Sequence, residues 1–186
     1  MAESNFFTAV FGDPITVNIG AYEFTIAHAE AGRWLYVVSQ GDTVAGIIPG
    51  MLSPMATDRL YRLLENERVT LEDIRRGALS AIAKMSGFSW WEATRLVGLA
   101  EANHGEFFGR LLLKGIDPRS MTFAAWCSAT HSLALSSLGD DKEVLKWTTR
   151  FSAPPPEASE DEADEGSSFE SMVQMARSMP GLRVGG

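Results

Sequence analysis

The chain has 186 residues, 45% of them hydrophobic, and a formal net charge of −8 from 16 basic and 24 acidic side chains. That apolar content suffices for one core of ordinary size, and the single cysteine, Cys127, excludes an internal disulfide framework and suits a reducing compartment. Residues 157–186 hold seven acids and two bases, a net of −5 that leaves only −3 for the rest, and a nearly balanced body argues against a nucleic-acid groove, which needs clustered cations.

Met1–Phe11 carries no positive n-region and no small-residue cleavage pattern, so no signal peptide is expected. No apolar run reaches about 18 residues, so no membrane span is expected either. Phe6–Phe11 is apolar and ends at Gly12-Asp13-Pro14, which reads as a short strand or a packed arm. Ile15–Ile19 and Tyr22–Ile26 then alternate apolar and polar around Gly20-Ala21, the pattern of a hairpin with a type II′ turn. A lone hairpin is marginal in water, so this one must lie on the helices or on a partner.

Helical periodicity follows. Ala29–Ser39 brings Trp34, Leu35, Val37 and Val38 together, and the apolar turn Gly46–Gly50 points Ile47 and Ile48 at the core. Thr57 is a candidate cap for a short helix carrying Leu60, Leu63 and Leu64. Thr70-Leu-Glu-Asp73 reads as a capping box with Asp at its third helical position. The helix it opens carries Leu71, Ile74, Ala78, Ile82 and Met85, and Gly87 closes it. Trp90–Gly115 is the stretch the rest is organised around: Trp90, Ala93, Val97, Ala100, His104, Phe107 or Phe108, and Leu111 share one face. Glu106 and Arg110 stand in the favourable order for an ion pair on its polar side. Gly98, Gly105 and Gly109 each cost about 1 kcal/mol in a helix interior. Either another helix packs close against them, or the element breaks near Asn103–Gly105. Gly115 stops it, and Asp117-Pro118 makes a turn.

Phe123, Trp126, Cys127, Thr130, Leu133, Ala134 and Leu138 stripe the next helix. A last one starts at Asp140 or Asp141 and buries Val144, Leu145, Trp147 or Thr148, and Phe151. Pro154-Pro155-Pro156 ends the helical body, and the acidic, polar run from Glu157 to Ser168 has the composition of a disordered linker. Behind Ser168, the residues Phe169, Met172, Val173 and Ala176 form a narrow apolar stripe, about three turns long and too short to be helical alone. A Met-rich amphipathic segment on a tether is a common form of docking peptide, and these four are the candidate partner-binding residues.

The expected fold is therefore mainly α: an N-terminal arm and β-hairpin over 1–28, a compact bundle of about five or six helices over 29–153, a Pro-rich acidic linker over 154–167, and a short amphipathic segment over 168–186. Trp34, Trp90, Trp91, Trp126 and Trp147 are its candidate core.

Signals for chemistry are thin. Cys127 and His131 stand four apart on one helix, but a zinc site needs about four protein ligands, or three and water, and the only other histidines are His28 and His104. A buried cysteine and a helix-face histidine explain the pair better. His104 in Asn-His-Gly marks a helix irregularity rather than a general base. The acidic pairs Glu72–Asp73 and Asp140–Asp141 sit at helix starts, where the dipole favours them. No P-loop, dinucleotide fingerprint or nucleophile elbow is present. Arg75–Arg76 and Lys114 with Arg119 are too few for a nucleic-acid patch. No catalytic residue, metal ligand or cofactor site is assigned. Leu182–Gly186 ends like the diglycine tail of ubiquitin-like proteins, but an acidic linker and a helical body precede it instead of a sheet-rich domain.

The order of elements is more telling. The hairpin ITVNIGAYEFTI leads to AGRWLYVVSQGD, the turn IIPGML, the capped helix TLEDIRRGALSAIAKMSG, the double tryptophan of WWEATRLVGLAEA, GRLLLKGIDPRSMTFAAW, a short acidic-started helix and a proline run. Over roughly residues 14–156 this resembles the tail assembly chaperones of long-tailed (siphovirus) actinobacteriophages, chiefly through that order and the WW, GRL…G-x-D-P-R and PPP stretches. The resemblance implies a non-enzymatic protein of the host cell cytoplasm, absent from the mature virion. Such chaperones bind the tape measure protein and keep it soluble while tail tube subunits polymerise around it. Many are made in two lengths by a translational frameshift. The implied partners are thus the tape measure protein, the tail tube protein and a longer frameshifted form of the chain itself. The family supplies no catalytic motif and no residue-level binding motif. A head–tail joining or other structural protein shares the size and acidity, and a small enzyme is the least supported alternative.

Overall fold

Side chains along Ile15–Ile19 (β1) and Tyr22–Ile26 (β2) alternate between buried and exposed, so one face of the antiparallel hairpin is apolar throughout. Its register pairs Ile15 with Ile26, Val17 with Phe24 and Ile19 with Tyr22. Gly20 turns at φ 59° while Ala21 stays at negative φ, as a type II′ turn requires. The computed structural model describes residues 14–27, 30–39, 46–47, 50–156 and 158. The arm Phe6–Phe11, His28, Ile48, the acidic run apart from Ala158, and the candidate partner residues Phe169, Met172, Val173 and Ala176 lie outside these.

Seven helices follow among the described residues: α1 (Ala31–Ser39), α2 (Pro54–Glu65), α3 (Leu71–Ser86), α4 (Trp90–Ala102), α5 (His104–Leu113), α6 (Phe123–Ser136) and α7 (Asp141–Ser152), with a 3₁₀ turn at Pro118–Ser120. The hairpin does lie on the helices. Its strand β1 crosses α3, where Gly77 lets the backbone in: a Cβ there would stand 2.7 Å from Ile19 Cγ1 and 3.1 Å from Asn18 O. Lys84 Nζ donates to the Thr16 carbonyl at 2.8 Å and pins the other end. Ile15, Val17, Ile19, Phe24 and Ile26 are buried by this docking, which contributes about 10 kcal/mol gross before chain entropy is subtracted.

α3 begins at the expected capping box. Thr70 Oγ1 accepts from the Asp73 N–H at 3.1 Å, and Asp73 Oδ2 accepts from the Thr70 N–H at 2.9 Å. These bonds to Thr70 hold the Asp73 carboxyl below its ordinary pKa. The helix ends at Gly87, in the left-handed conformation. α4 opens on a second box of the same form, with Ser89 and Glu92 in the reciprocal roles. The Glu92 carboxylate is almost fully enclosed and is satisfied there by the Ser89 N–H at 3.0 Å and hydroxyl at 2.8 Å. Ser89-Trp-Trp-Glu92 carries the S-x-x-E signature of such a box, a start signal absent from the expectations above, where the two tryptophans alone mark this helix end.

α4 is the centre of the body. It packs against α1, α3, α6 and α7 and leads into α5. Ala93, Leu96, Val97 and Ala100 are buried along it. The Trp91 indole N–H donates to Ser152 O at 3.3 Å. Arg95 Nη1 donates to the carbonyls of Arg150 at 3.1 Å, Phe151, and Ala153 at 2.7 Å. One arginine of α4 therefore caps the C-terminus of α7, whose last carbonyls have no partner in their own helix. From α1, Trp34 stacks on Phe123 of α6 with centroids 5.7 Å apart.

Several local expectations need correction. Of the two arrangements expected for Trp90–Gly115, the break is the one present: Asn103, at φ −119°, ψ 27°, separates α4 from α5, and seven helices stand among the described residues where about five or six were expected. Gly98, Gly105 and Gly109 meet nothing within 4 Å, so none marks a close helix approach; the tight backbone approach on these helices is at Gly77, and it comes from strand β1. α2 is capped by Ser53, with Pro54 at its first position, and Thr57 lies inside it. Leu71 and Leu145 are exposed, at 62% and 70%. Leu71 is the first residue of α3, and Leu145 lies off the inward stripe of α7, which runs through Val144, Trp147, Thr148 and Phe151. His104 is exposed and leaves the core face to Phe107 and Leu111.

Candidate functional site

Among the described residues, Cys127, His131 and the charged pairs singled out in the sequence have the following surroundings. Cys127 is completely buried, and burial pushes its thiol well above the ordinary pKa, which leaves it inert as a nucleophile or a metal ligand. His131, one turn on, is wedged among the rings of Phe88, Trp147 and Phe151 at 5.2–5.6 Å, and desolvation lowers its pKa. Among the described residues, no group of three His, Cys, Asp or Glu stands close enough to hold a metal. Arg75 and Arg76 both reach Glu72, at 3.4 and 3.6 Å, and Arg119 pairs with Asp117 at 2.9 Å. The Asp140 carboxylate caps α7 through the Glu143 N–H at 2.8 Å. No helix among the described residues is long and apolar enough to cross a membrane.

The feature with capacity for a ligand is a cleft of about 300 Å³ where α4 gives way to α5. One wall is the end of α4 and the start of α5: Leu99, Ala100, Asn103 and Phe107. The other is the second half of α6, with Leu133 and Ala134, continued by Leu138 just beyond the helix end and joined by Trp147 of α7. Glu106 and Arg110, paired across one turn, form a polar rim. The walls diverge because α5 leaves α6 after its first turn. Phe107 still touches Trp126, with centroids 5.4 Å apart, but beyond it α5 packs against the 3₁₀ turn instead of along α6. Asn103 holds the junction by donating its side-chain amide to the Leu99 carbonyl at 2.8 Å. Leu99, Leu133, Ala134, Leu138 and Trp147 are thus left half-buried, an apolar face with no partner among the described residues.

A second, broader hollow of about 790 Å³ lies between β2 and α2. Arg59, Arg62 and Arg68 line it, with Asp58 the one acid. The Arg59 guanidinium lies 5.1 Å from the Phe24 ring centroid and donates to Glu23 O at 3.3 Å, so it is committed to covering the hairpin. Three cations are too few to hold a nucleic-acid backbone.

No protein-family model matches the chain, and no curated protein and no solved structure matches it. What the site can do therefore follows from its own geometry. Of the candidate core tryptophans, Trp34, Trp91 and Trp126 are buried, while Trp90 and Trp147 pack at the edge of the core and stay half-exposed. The cleft has no counterpart among the sequence expectations. Its signal is present in Leu133, Ala134 and Leu138, but the α6 stripe assigns them to the core as if it were covered along its whole length. The break at Asn103 is what uncovers them.

Proposed function

We propose that this protein is a non-enzymatic holdase whose cleft takes an apolar-striped helix of a longer helical client. The observation that carries this reading is the unpartnered apolar cleft itself. It is walled by helices on both sides and rimmed by one ion pair, the form that receives the i, i+3, i+4 anchors of an amphipathic helix. Three anchors at about 2 kcal/mol each give roughly 6 kcal/mol, a dissociation constant in the tens of micromolar. Weak binding suits a holdase, which must release its client when assembly proceeds. The resemblance in element order to phage tail assembly chaperones names the client as the tape measure protein, and the cytoplasm of the infected host as the place of action, outside the finished particle.

The test is co-expression of the tape measure protein with the wild-type chain and with Leu138→Glu, which charges the cleft at a half-buried position. The wild type should keep the client in the soluble fraction. The variant should lose that capacity while its melting temperature stays close to that of the wild type. Equal protection by the two proteins refutes the cleft as the contact. Recovery of the protein from purified particles would favour a joining or structural role instead.

A further inference from the structure

The place where the chain leaves the body lies beside the cleft. Ser152 and Ala153 are held by Trp91 and Arg95 of α4, and Leu99, the first cleft residue, is one turn further along that helix, a rise of about 6 Å. Trp147, in the opposite wall, stacks on Phe151 with centroids 4.6 Å apart. Eleven peptide steps separate Ala158 from Phe169, enough to span any distance up to about 36 Å. The stripe Phe169, Met172, Val173 and Ala176 would be about 10 Å long as a helix, against about 9 Å for the helical wall from Thr130 to Ser136, with Leu138 beyond it.

Taking the cleft as a receptor for amphipathic helices, on which this step rests, we propose that its resident occupant is the chain's own Phe169–Met179 segment, bound in cis, and that a client helix binds by displacing it. A short tether holds its segment at an effective concentration on the order of millimolar. That exceeds a dissociation constant of tens of micromolar by a factor of ten or more. The cleft is then closed to weak or single-stripe competitors and open to a long client that offers several stripes. Apparent affinity for any competing helix falls by the fraction of molecules whose cleft is free.

The probe is a labelled synthetic peptide of residues 168–179, titrated into three full-length proteins: wild type, Phe169→Asp/Met172→Asp, and Leu138→Glu. The double variant should bind the peptide about tenfold or more tightly than wild type, because its own segment no longer competes. Leu138→Glu should bind it least. A disulfide assay fixes the location: Ser137→Cys with Met172→Cys should close at least tenfold more readily than Met55→Cys with Met172→Cys, since Met55 is exposed on the separate helix α2. Cys127 is fully buried and does not compete in this exchange. Equal peptide affinity for wild type and the double variant overturns occupancy in cis. No peptide binding to any form overturns the match between segment and cleft, while the client assay with Leu138→Glu tests the holdase function separately. A concentration-dependent dimer that the double variant abolishes places the segment in a second copy and likewise overturns the cis arrangement.

Discussion

Alanine at Gly77 and alanine at Gly98 are the same substitution in two helix interiors, and the structure assigns them opposite signs. In isolation each should gain about 1 kcal/mol, the difference in helix propensity between Gly and Ala. At Gly98 nothing stands within 4 Å of the new methyl, so that gain should appear in full. At Gly77 the methyl would meet Ile19 Cγ1 at 2.7 Å and Asn18 O at 3.1 Å. The first is the stiff, branched part of a fully buried side chain, and the second is strand backbone. Neither yields without lifting β1 from α3. Overpacking of this kind costs about 1–3 kcal/mol, which leaves Gly77→Ala neutral to destabilising by about 2 kcal/mol, and about 1–3 kcal/mol below Gly98→Ala. In a chain of this length each kcal/mol moves the melting temperature by about 2–4 °C. Chemical denaturation and calorimetry on the two variants, with Ile19→Ala as a third background, complete the cycle. Removing the Ile19 side chain beyond Cβ should make Gly77→Ala less costly than in the wild-type background, with the Asn18 carbonyl contact left in place. If Gly77→Ala raises the melting temperature as much as Gly98→Ala in the wild-type background, the hairpin does not sit on α3 as described.

Trp91→Ala should cost about 3–5 kcal/mol, since the indole is buried and its N–H holds Ser152; a loss below about 1 kcal/mol in denaturant titration would contradict that packing. Arg95→Met keeps the aliphatic stem and removes the cap of α7, so hydrogen exchange at residues 148–153 should quicken, with a cost of about 1–3 kcal/mol. The pKa of His131 is lowered by burial from 6.5, so the unfolded chain binds the proton more readily and this group's contribution to stability is present above about pH 6.5 and lost as pH falls. His131→Asn should therefore show a flatter fall in melting temperature than wild type between neutral and mildly acidic pH, and parallel curves would refute the sign.

The hairpin, the capping box at Thr70, the closing Gly87 and the ends of α7 are legible in the sequence because each is written in a few neighbouring residues. Residues 15–26 alternate with a two-residue turn between them, and Thr70 and Asp73 are three apart. The errors come from relations that no local window contains. Leu71 fits a helical stripe by spacing, yet as the first residue of α3 it has no neighbour to cover it, and Leu145, next to Val144 in sequence, falls off the face that Val144, Trp147, Thr148 and Phe151 turn inward. Gly77 carries the close approach expected of Gly98, Gly105 or Gly109, because the element that approaches is a strand some sixty residues earlier. Periodicity reports which face of a helix is apolar, and it is silent on whether anything lies against that face.

That silence matters most at Asn103. Asn and Gly are poor helix formers beside Ala, and Asn103-His104-Gly105 places two of them where α4 would otherwise run on into α5. The interruption is costly in helix terms and sets α5 against the 3₁₀ turn, away from the second half of α6, so the same three residues that weaken the helix expose Leu133, Ala134 and Leu138. If the break is kept for the cleft, then Asn103→Ala/Gly105→Ala should raise the melting temperature, by up to about 1.5 kcal/mol of recovered propensity, and at the same time weaken binding of an amphipathic peptide as α4 and α5 straighten and the walls shift. Stability gained against binding lost is the pattern expected where a site depends on a strained or open arrangement. A rise in stability with unchanged peptide affinity would show that the contact of Phe107 on Trp126, rather than the Asn-His-Gly sequence, holds the junction open.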